Sequence, residues 1–153
     1  MPADLTARNI RTVDQYLELV AGTIFASGLS WEVVERRWPE TRSAFAGFAA
    51  VKVAALSDRD LHLLSGVPGV IANTAKIEAV RAAARFLVDK RNGHGSVGRW
   101  LGSLVGFEHQ QRALRELRFV GPFGAYYVLS VAGFDVPEYD EWEEAYSPAA
   151  RTG

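Results

Sequence analysis

Cysteine is missing from this sequence of 153 residues, and methionine occurs once. The lack of thiols excludes disulfide bonds, thiolate-bound zinc, iron–sulfur clusters and a cysteine nucleophile. The three histidines, His62, His94 and His109, do not have the spacing of metal ligands. We therefore expect neither a bound metal nor another cofactor.

Long apolar runs are also missing. No run approaches the roughly 20 residues that a membrane-spanning helix needs, and no basic segment followed by a signal-peptide core stands at the start. We therefore expect a cytoplasmic protein without membrane contact. The share of hydrophobic residues, 48%, is typical of a folded chain, and the length suits one domain over residues 1–153. We expect that domain to be a monomer.

The formal net charge of −1 gives no sign of a polyanion partner. Five of the 18 acidic residues, however, lie in one short stretch, which contains Glu138, Asp140, Glu141, Glu143 and Glu144. The rest of the chain then carries an excess of basic residues. That excess permits a modest phosphate-facing surface without demonstrating one.

Several capping signals predict helices. Thr12 begins a capping box before a helically periodic apolar segment, and Ser30 begins a second helix that we expect to end before Pro39. Asn73 can cap a long alanine-rich helix that ends in the loop at residues 92–95. The basic residues of that long helix, Lys76, Arg81 and Arg85, are most simply read as its solvent face.

Periodicity leaves one segment ambiguous. Residues 125–132 are short, apolar and bounded by glycines, which also suits a strand, and only their helical surroundings favour a helix. No other run alternates with period two. The sequence therefore predicts an all-α protein, arranged as an orthogonal helical bundle.

A turn with two glycines and a proline joins a basic helix to this apolar segment. The N–H groups of Gly121, Phe123 and Gly124 stand at or near a helix start, where unpaired donors and the helix dipole favour a phosphate. Arg115 and Arg118 would flank that phosphate. The alternative is a helical corner in which the glycines serve only tight packing.

Three further positions have both a structural and a functional interpretation. Asp140 begins a segment that looks like a helix N-cap with an acid three residues later, which explains it structurally. Trp31 is either a core residue or a stacking wall for an extruded base. Of Tyr126 and Tyr127, we expect one to lie inside and the other to face a cleft.

The sequence resembles the family of DNA-3-methyladenine glycosylase I, within the helix-hairpin-helix DNA glycosylase superfamily. The likeness runs in order from about residue 12 to 135. It is carried by residues 25–31, 48–55 and 69–80, and by Phe119-Val120-Gly121 with Tyr126.

This resemblance implies a helix-hairpin-helix motif that binds duplex DNA containing damaged bases through Gly121, Phe123, Gly124, Arg115 and Arg118. It also implies a pocket for a flipped base.

In that pocket, the resemblance places Trp31 and Tyr126 in the wall and Thr23 where the family has an acid that contacts the methylated base. Asp140 falls close to the position of the superfamily's catalytic aspartate, and Phe123 stands where lyase members carry a lysine. The family's zinc ligands are not recognisable in this sequence.

Two functions remain open on this basis. The first is a monofunctional DNA glycosylase of base excision repair, which hydrolyses the N-glycosidic bond of alkylated purines such as 3-methyladenine after base flipping. The alternative is a non-catalytic DNA-binding or damage-sensing module that keeps the fold. Asp140 and Trp31 favour the enzyme, whereas Thr23 and the missing zinc ligands favour the module.

Overall fold

The computed structural model describes residues 9–146, and side chains over residues 9–145. Within this part of the chain lie a short 3-10 turn, Ala46–Phe48, and nine α-helices: α1 Val13–Ala26, α2 Trp31–Ala44, α3 Ala50–Ala54, α4 Asp58–Ser65, α5 Thr74–His94, α6 Val97–Ser103, α7 Gly106–Leu114, α8 Pro122–Val131 and α9 Tyr139–Tyr146. No β-strand occurs among these residues, so the all-α prediction is confirmed. The ambiguous segment at residues 125–132 is helical, since most of it belongs to α8.

The predicted helix starts are confirmed where a side chain caps the backbone. The Thr12 hydroxyl accepts from the Gln15 N–H at 3.2 Å, and the Gln15 side chain accepts from the Thr12 N–H at 3.0 Å. Ser30 accepts from the Val33 N–H at 3.3 Å, and Asn73 caps α5 in the same way. Each cap satisfies an N–H that the helix itself leaves unpaired.

The prediction that the second helix ends before Pro39 is wrong, because α2 continues through Pro39 to Ala44. Proline removes one helical hydrogen bond, which costs about 3 kcal/mol in a helix interior. Packing around Trp38 offsets this cost. Its ring stacks on Phe48, with centroids 5.2 Å apart, and meets Phe25 edge-on at 6.3 Å.

The core is organised around α1 and α5, which pack against each other. Leu17, Val20 and Ile24 of α1 and Ile77 and Leu87 of α5 are completely buried. The short helices α3, α4 and α6 pack on α5, whereas α8 packs on α1. The packing on α1 therefore positions the start of α8.

The long helix α5 does not present all of its basic residues to solvent, so that interpretation is wrong for Lys76. This side chain is only 5% exposed, and its ammonium donates to the carbonyls of Phe25 (3.0 Å) and Ser27 at the end of α1. Burial lowers the pKa of Lys76. Arg81 and Arg85 also donate to backbone carbonyls, near the end of α3. These bonds tie α5 to the ends of two other helices.

Two more helices complete the region around the candidate site. A turn at residues 115–121 joins α7 to α8, and the two helices pack together as a hairpin. That this hairpin is a helix-hairpin-helix motif stays a prediction. The last helix, α9, packs on α8 through Trp142, whose ring centroid lies 4.6 Å from that of Tyr126. None of the described helices is long and apolar enough to cross a membrane.

Candidate functional site

A small pocket opens where the end of α1, the start of α2 and the start of α8 meet. Its volume is about 220 Å³, which is below the usual range of about 300 to 1,000 Å³ for ligand sites. A pocket of this volume suits a small group. It is lined by Thr23, Ala26, Ser27, Trp31, Phe119, Gly121, Pro122, Phe123 and Gly124.

Thr23 forms the α1 side of this pocket. The side chain is 5% exposed, and its hydroxyl donates to the Val20 carbonyl at 2.8 Å. Opposite it, a Cβ atom added to Gly124 would lie only 3.1 Å from the Thr23 Cβ. Glycine at position 124 therefore allows α8 to approach α1 closely.

Trp31 forms the α2 side of the pocket as the first residue of that helix. It is half-buried, and its ring centroid lies 5.9 Å from that of Tyr127. Tyr127 in turn stacks on Phe123 at 6.3 Å. The two pocket residues Trp31 and Phe123 are therefore connected through the ring of Tyr127.

Tyr126 does not line this pocket, contrary to its expected place in the wall. Its hydroxyl donates to the Pro137 carbonyl at 2.8 Å, and its ring packs among Phe107, Tyr139 and Trp142. Successive residues of an α-helix point about 100° apart, so the two tyrosines face different neighbours. Tyr127 is the one that contacts Trp31.

The hydroxyl group of Tyr127 is buried and has no hydrogen-bond partner among the described residues. Burial, together with the negative charge of Glu35, raises the pKa of Tyr127 to about 12. The phenol is therefore protonated and neutral throughout the physiological range. It contributes an aromatic surface behind the pocket rather than a charge.

The hairpin brings backbone donors to the edge of the same pocket. Gly121 is the N-cap of α8, none of the described side chains caps the helix, and Pro122 occupies its first position. The N–H groups of Phe123 and Gly124 then lie in the first turn, where the helix supplies no acceptors. Arg115 and Arg118 are exposed in the preceding turn.

Gly121 has no evident internal reason to be glycine. A Cβ atom added there would meet no described atom within 4 Å, and its φ of −89° suits any residue. Glycine also permits close approach of the backbone to an external ligand. This open face contrasts with the tight contact at Gly124.

Asp140 lies apart from the pocket lining. It is exposed and stands in the first turn of α9, which begins at Tyr139, so the prediction that Asp140 is the N-cap is wrong. The Trp142 N–H donates to the Glu138 carbonyl, so the first turn begins two residues before Asp140. The helix still adjoins the pocket wall, because the Trp142 ring lies 6.3 Å from that of Phe123.

Leu29 is a candidate that the sequence analysis missed. It lies in the short connection between α1 and α2, after Gly28 with its φ of 75°, and 42% of it is exposed. The connection thus carries a large apolar side chain next to the pocket residues Ser27 and Trp31. The only feature of the sequence that could have pointed to Leu29 is its position as a single leucine between turn-forming glycine and serine residues.

The described part of the chain contains no cluster of three histidine, aspartate or glutamate side chains able to hold a metal ion.

Sequence comparison connects these elements to a known group of proteins. The family model of methyladenine glycosylase matches residues 10–120, which include α1 through α7 and the hairpin turn up to Val120. The chain belongs to the methyladenine glycosylase family. The resemblance recognised in the sequence is thereby confirmed.

Individual relatives support this family membership. DNA-3-methyladenine glycosylase 1 of Escherichia coli K12 is 37% identical over 68 residues, which are 44% of this chain. The match spans 36% of that curated relative, about a third of its length.

Solved structures of other proteins share the fold. The structure of 3-methyladenine DNA glycosylase I from Staphylococcus aureus has a TM-score of 0.73 and 21% identity, covering 87% of this chain and 83% of that one. Another structure of a 3-methyladenine DNA glycosylase I has a TM-score of 0.68 and 20% identity, covering 80% of this chain and 79% of that one. At such low identity the likeness shows a common helical fold and nothing more about the site.

Proposed function

We propose that this member of the methyladenine glycosylase family is a monofunctional DNA glycosylase of base excision repair. Its substrate would be an alkylated purine such as 3-methyladenine, flipped out of duplex DNA. One observation carries the proposal: Gly121, Phe123 and Gly124 belong both to the start of α8 and to the pocket lined by Trp31. A phosphate bound at that helix start would hold its nucleotide next to the pocket. All of these elements come from one chain, which is consistent with a monomer.

DNA binding is assigned to the hairpin. The start of α8 offers unpaired N–H groups and the positive end of the helix dipole, a combination that favours phosphate. Gly121, where an added Cβ atom would meet no described atom within 4 Å, allows a phosphate to come close to the backbone, and the exposed Arg115 and Arg118 add positive charge beside it. Phosphate contacts of this kind position a protein on duplex DNA without reading its sequence.

Base flipping is assigned to the connection between α1 and α2. Apolar side chains that enter the duplex unstack neighbouring bases, and the exposed Leu29 has the size and position for this role. The flipped base would then enter the pocket and stack against Trp31. A cationic alkylated base gains further from the negative face of the indole ring.

The reaction breaks the bond between the sugar carbon C1′ and the base nitrogen, and the base leaves with the bonding electrons. A methylated purine that carries a positive charge becomes neutral as it leaves, so it needs no protonation. Water then adds to C1′ and loses a proton. One carboxylate suffices to stabilise the developing sugar cation or to orient that water, and we assign this role to Asp140.

The position of α9 supports this assignment. Trp142, two residues after Asp140, contacts Phe123 in the pocket wall, so the acidic start of α9 stands on the side of the pocket formed by α8. Phe123 has no amine. The site therefore lacks the Schiff-base nucleophile of a lyase at this position, and the proposed product is an intact abasic strand.

The test is single-turnover release of methylated purines from alkylated duplex DNA. Asp140→Asn should slow release by orders of magnitude, since each loss of about 1.4 kcal/mol of transition-state stabilisation is a tenfold loss in rate. Glu144→Gln is the matched control, because it removes a charge from the same exposed helix. Equal rates for wild type and Asp140→Asn would show that Asp140 has no role in the reaction. Release by neither protein, with DNA binding intact, would instead indicate a non-catalytic damage-sensing module.

A further inference from the structure

The pocket carries no side-chain charge of its own. Among residues 9–145, the nine that line it include no aspartate, glutamate, lysine, arginine or histidine. Their polar side-chain groups are the hydroxyls of Thr23 and Ser27 and the indole N–H of Trp31. A base in this pocket therefore meets aromatic rings, small apolar groups and hydroxyls.

Thr23 places a hydroxyl group on the α1 side of the pocket. A carboxylate only accepts hydrogen bonds, so it would favour the amino group of an adenine and repel the O6 oxygen of a guanine. A hydroxyl both donates and accepts. The Thr23 hydroxyl donates to the Val20 carbonyl and leaves its lone pairs for an amino group, and rotation about one bond turns its proton toward a carbonyl oxygen instead.

We propose that Thr23 makes this pocket tolerant of adenine and guanine alike, so that the substrates are cationic purines methylated at N3 or at N7 rather than 3-methyladenine alone. The inference rests on the proposed glycosylase function and specifies its substrate class. Discrimination against normal bases then comes mainly from the chemical step, because a cationic base is a far better leaving group than a neutral one. The pocket supplies stacking to all of these bases and a charged contact to none.

This arrangement predicts how the rates depend on the lesion. If the pocket holds each base about equally well, the enzymatic rate should follow the spontaneous rate of base loss. The ratio of the two rates should then differ by no more than about tenfold among lesions, which corresponds to about 1.4 kcal/mol. A pocket that recognises one base through a charged contact would give one lesion a much larger ratio.

The experiment measures single-turnover release of 3-methyladenine, 3-methylguanine and 7-methylguanine from dimethyl-sulfate-treated duplex DNA, beside spontaneous release in the same buffer. Ratios within about tenfold of one another support the proposal. A ratio for 3-methyladenine about a hundredfold above that for the two guanine lesions overturns it and leaves the glycosylase function intact. No release of any lesion from bound DNA refutes the glycosylase function itself.

Variants at Thr23 test the assigned residue. Thr23→Glu should lower the release of guanine lesions relative to 3-methyladenine by about tenfold or more, whereas Thr23→Gln, of equal size, should not, because an amide also donates and accepts. Circular dichroism checks that both fold despite the close contact with Gly124. Thr23→Val, which keeps the size of threonine, should still release adenine and guanine lesions at ratios within about tenfold. If Thr23→Glu and Thr23→Gln have the same lesion preference, or if Thr23→Val loses one class of lesion, Thr23 does not act as proposed.

Discussion

Replacing either of the two glycines at the start of α8 by alanine should have different effects: Gly124→Ala should lower stability, whereas Gly121→Ala should mainly weaken DNA binding. Gly121→Ala adds a methyl group that meets no described atom within 4 Å, at a φ of −89° that alanine adopts easily. The smaller conformational freedom of the unfolded chain stabilises the variant by about 0.4 to 1 kcal/mol, and replacing a glycine N-cap by alanine destabilises it by about 1 kcal/mol. The free energy of unfolding should therefore change by less than about 1 kcal/mol.

Gly124→Ala places its methyl group 3.1 Å from the Cβ of Thr23, an atom attached directly to the backbone of α1. Overpacking of this kind costs about 1 to 3 kcal/mol, and the better helix propensity of alanine returns about 1 kcal/mol. The variant should lose up to about 2 kcal/mol of stability. The loss would come from the contact between α1 and α8.

Gly121→Ala, which should hardly change stability, should weaken DNA binding. If a phosphate approaches the open face of Gly121, a methyl group there blocks a hydrogen bond to a charged group, worth about 1.5 to 3 kcal/mol. Gly121→Ala should then raise the Kd for duplex DNA by roughly 10 to 100-fold. The matched control is Gly102→Ala on α6, where an added Cβ also meets no described atom within 4 Å.

The assays are fluorescence anisotropy with a labelled duplex at fixed salt, and urea denaturation of the same samples. Salt should weaken wild-type binding, since phosphate contacts release counterions. If Gly121→Ala binds within twofold of wild type while remaining folded, the hairpin is not the DNA-binding element.

Four further results are expected. Trp31→Ala should abolish the discrimination between alkylated and normal DNA in equilibrium binding. Because Trp31 is half-buried at the pocket, the variant should lose less than the roughly 3 to 5 kcal/mol of unfolding free energy that loss of a core tryptophan costs. A loss of stability as large as that would favour a packing role. Tyr127→Phe removes a buried hydroxyl without a partner and should raise the Tm. The pKa of Tyr127 rises from 10.0 to about 12 in the folded state, so the wild-type protein should lose stability as the pH rises from about 10 to 12. Tyr127→Phe should lose less stability over the same range. Equal losses of the two proteins in alkaline denaturation would contradict this. Borohydride should trap no adduct between the protein and abasic DNA, since Phe123 has no amine, and a trapped adduct would refute the monofunctional assignment.

Local signals in the sequence predicted the parts of the fold that depend on local hydrogen bonds. The caps at Thr12, Ser30 and Asn73 lie where the sequence placed them, because a side-chain oxygen and an N–H two or three residues later suffice to form each one. The continuation of α2 through Pro39 is not predictable in this way, because the free-energy cost of the proline is offset by contacts of Trp38 with residues distant in sequence.

The candidate site was predicted in its parts rather than in its arrangement. The sequence singled out Thr23, Trp31 and the glycine turn separately, and the fold brings them together in one pocket. The burial of Lys76 depends on where α1 ends relative to α5, which periodicity does not reveal. The choice between the two tyrosines likewise depends on the rotation of α8 against its neighbours.

The central claim is that a pocket between α1, α2 and α8 receives a base flipped from duplex DNA that the hairpin holds. A crystal structure of the protein with a duplex containing a stable abasic-site analogue, soaked with free 3-methyladenine, tests it most directly. We expect a DNA phosphate at the backbone of Gly121 and the free base stacked against Trp31 beside Thr23. A duplex bound to another face of the protein, or a base bound elsewhere with this pocket empty, would contradict it.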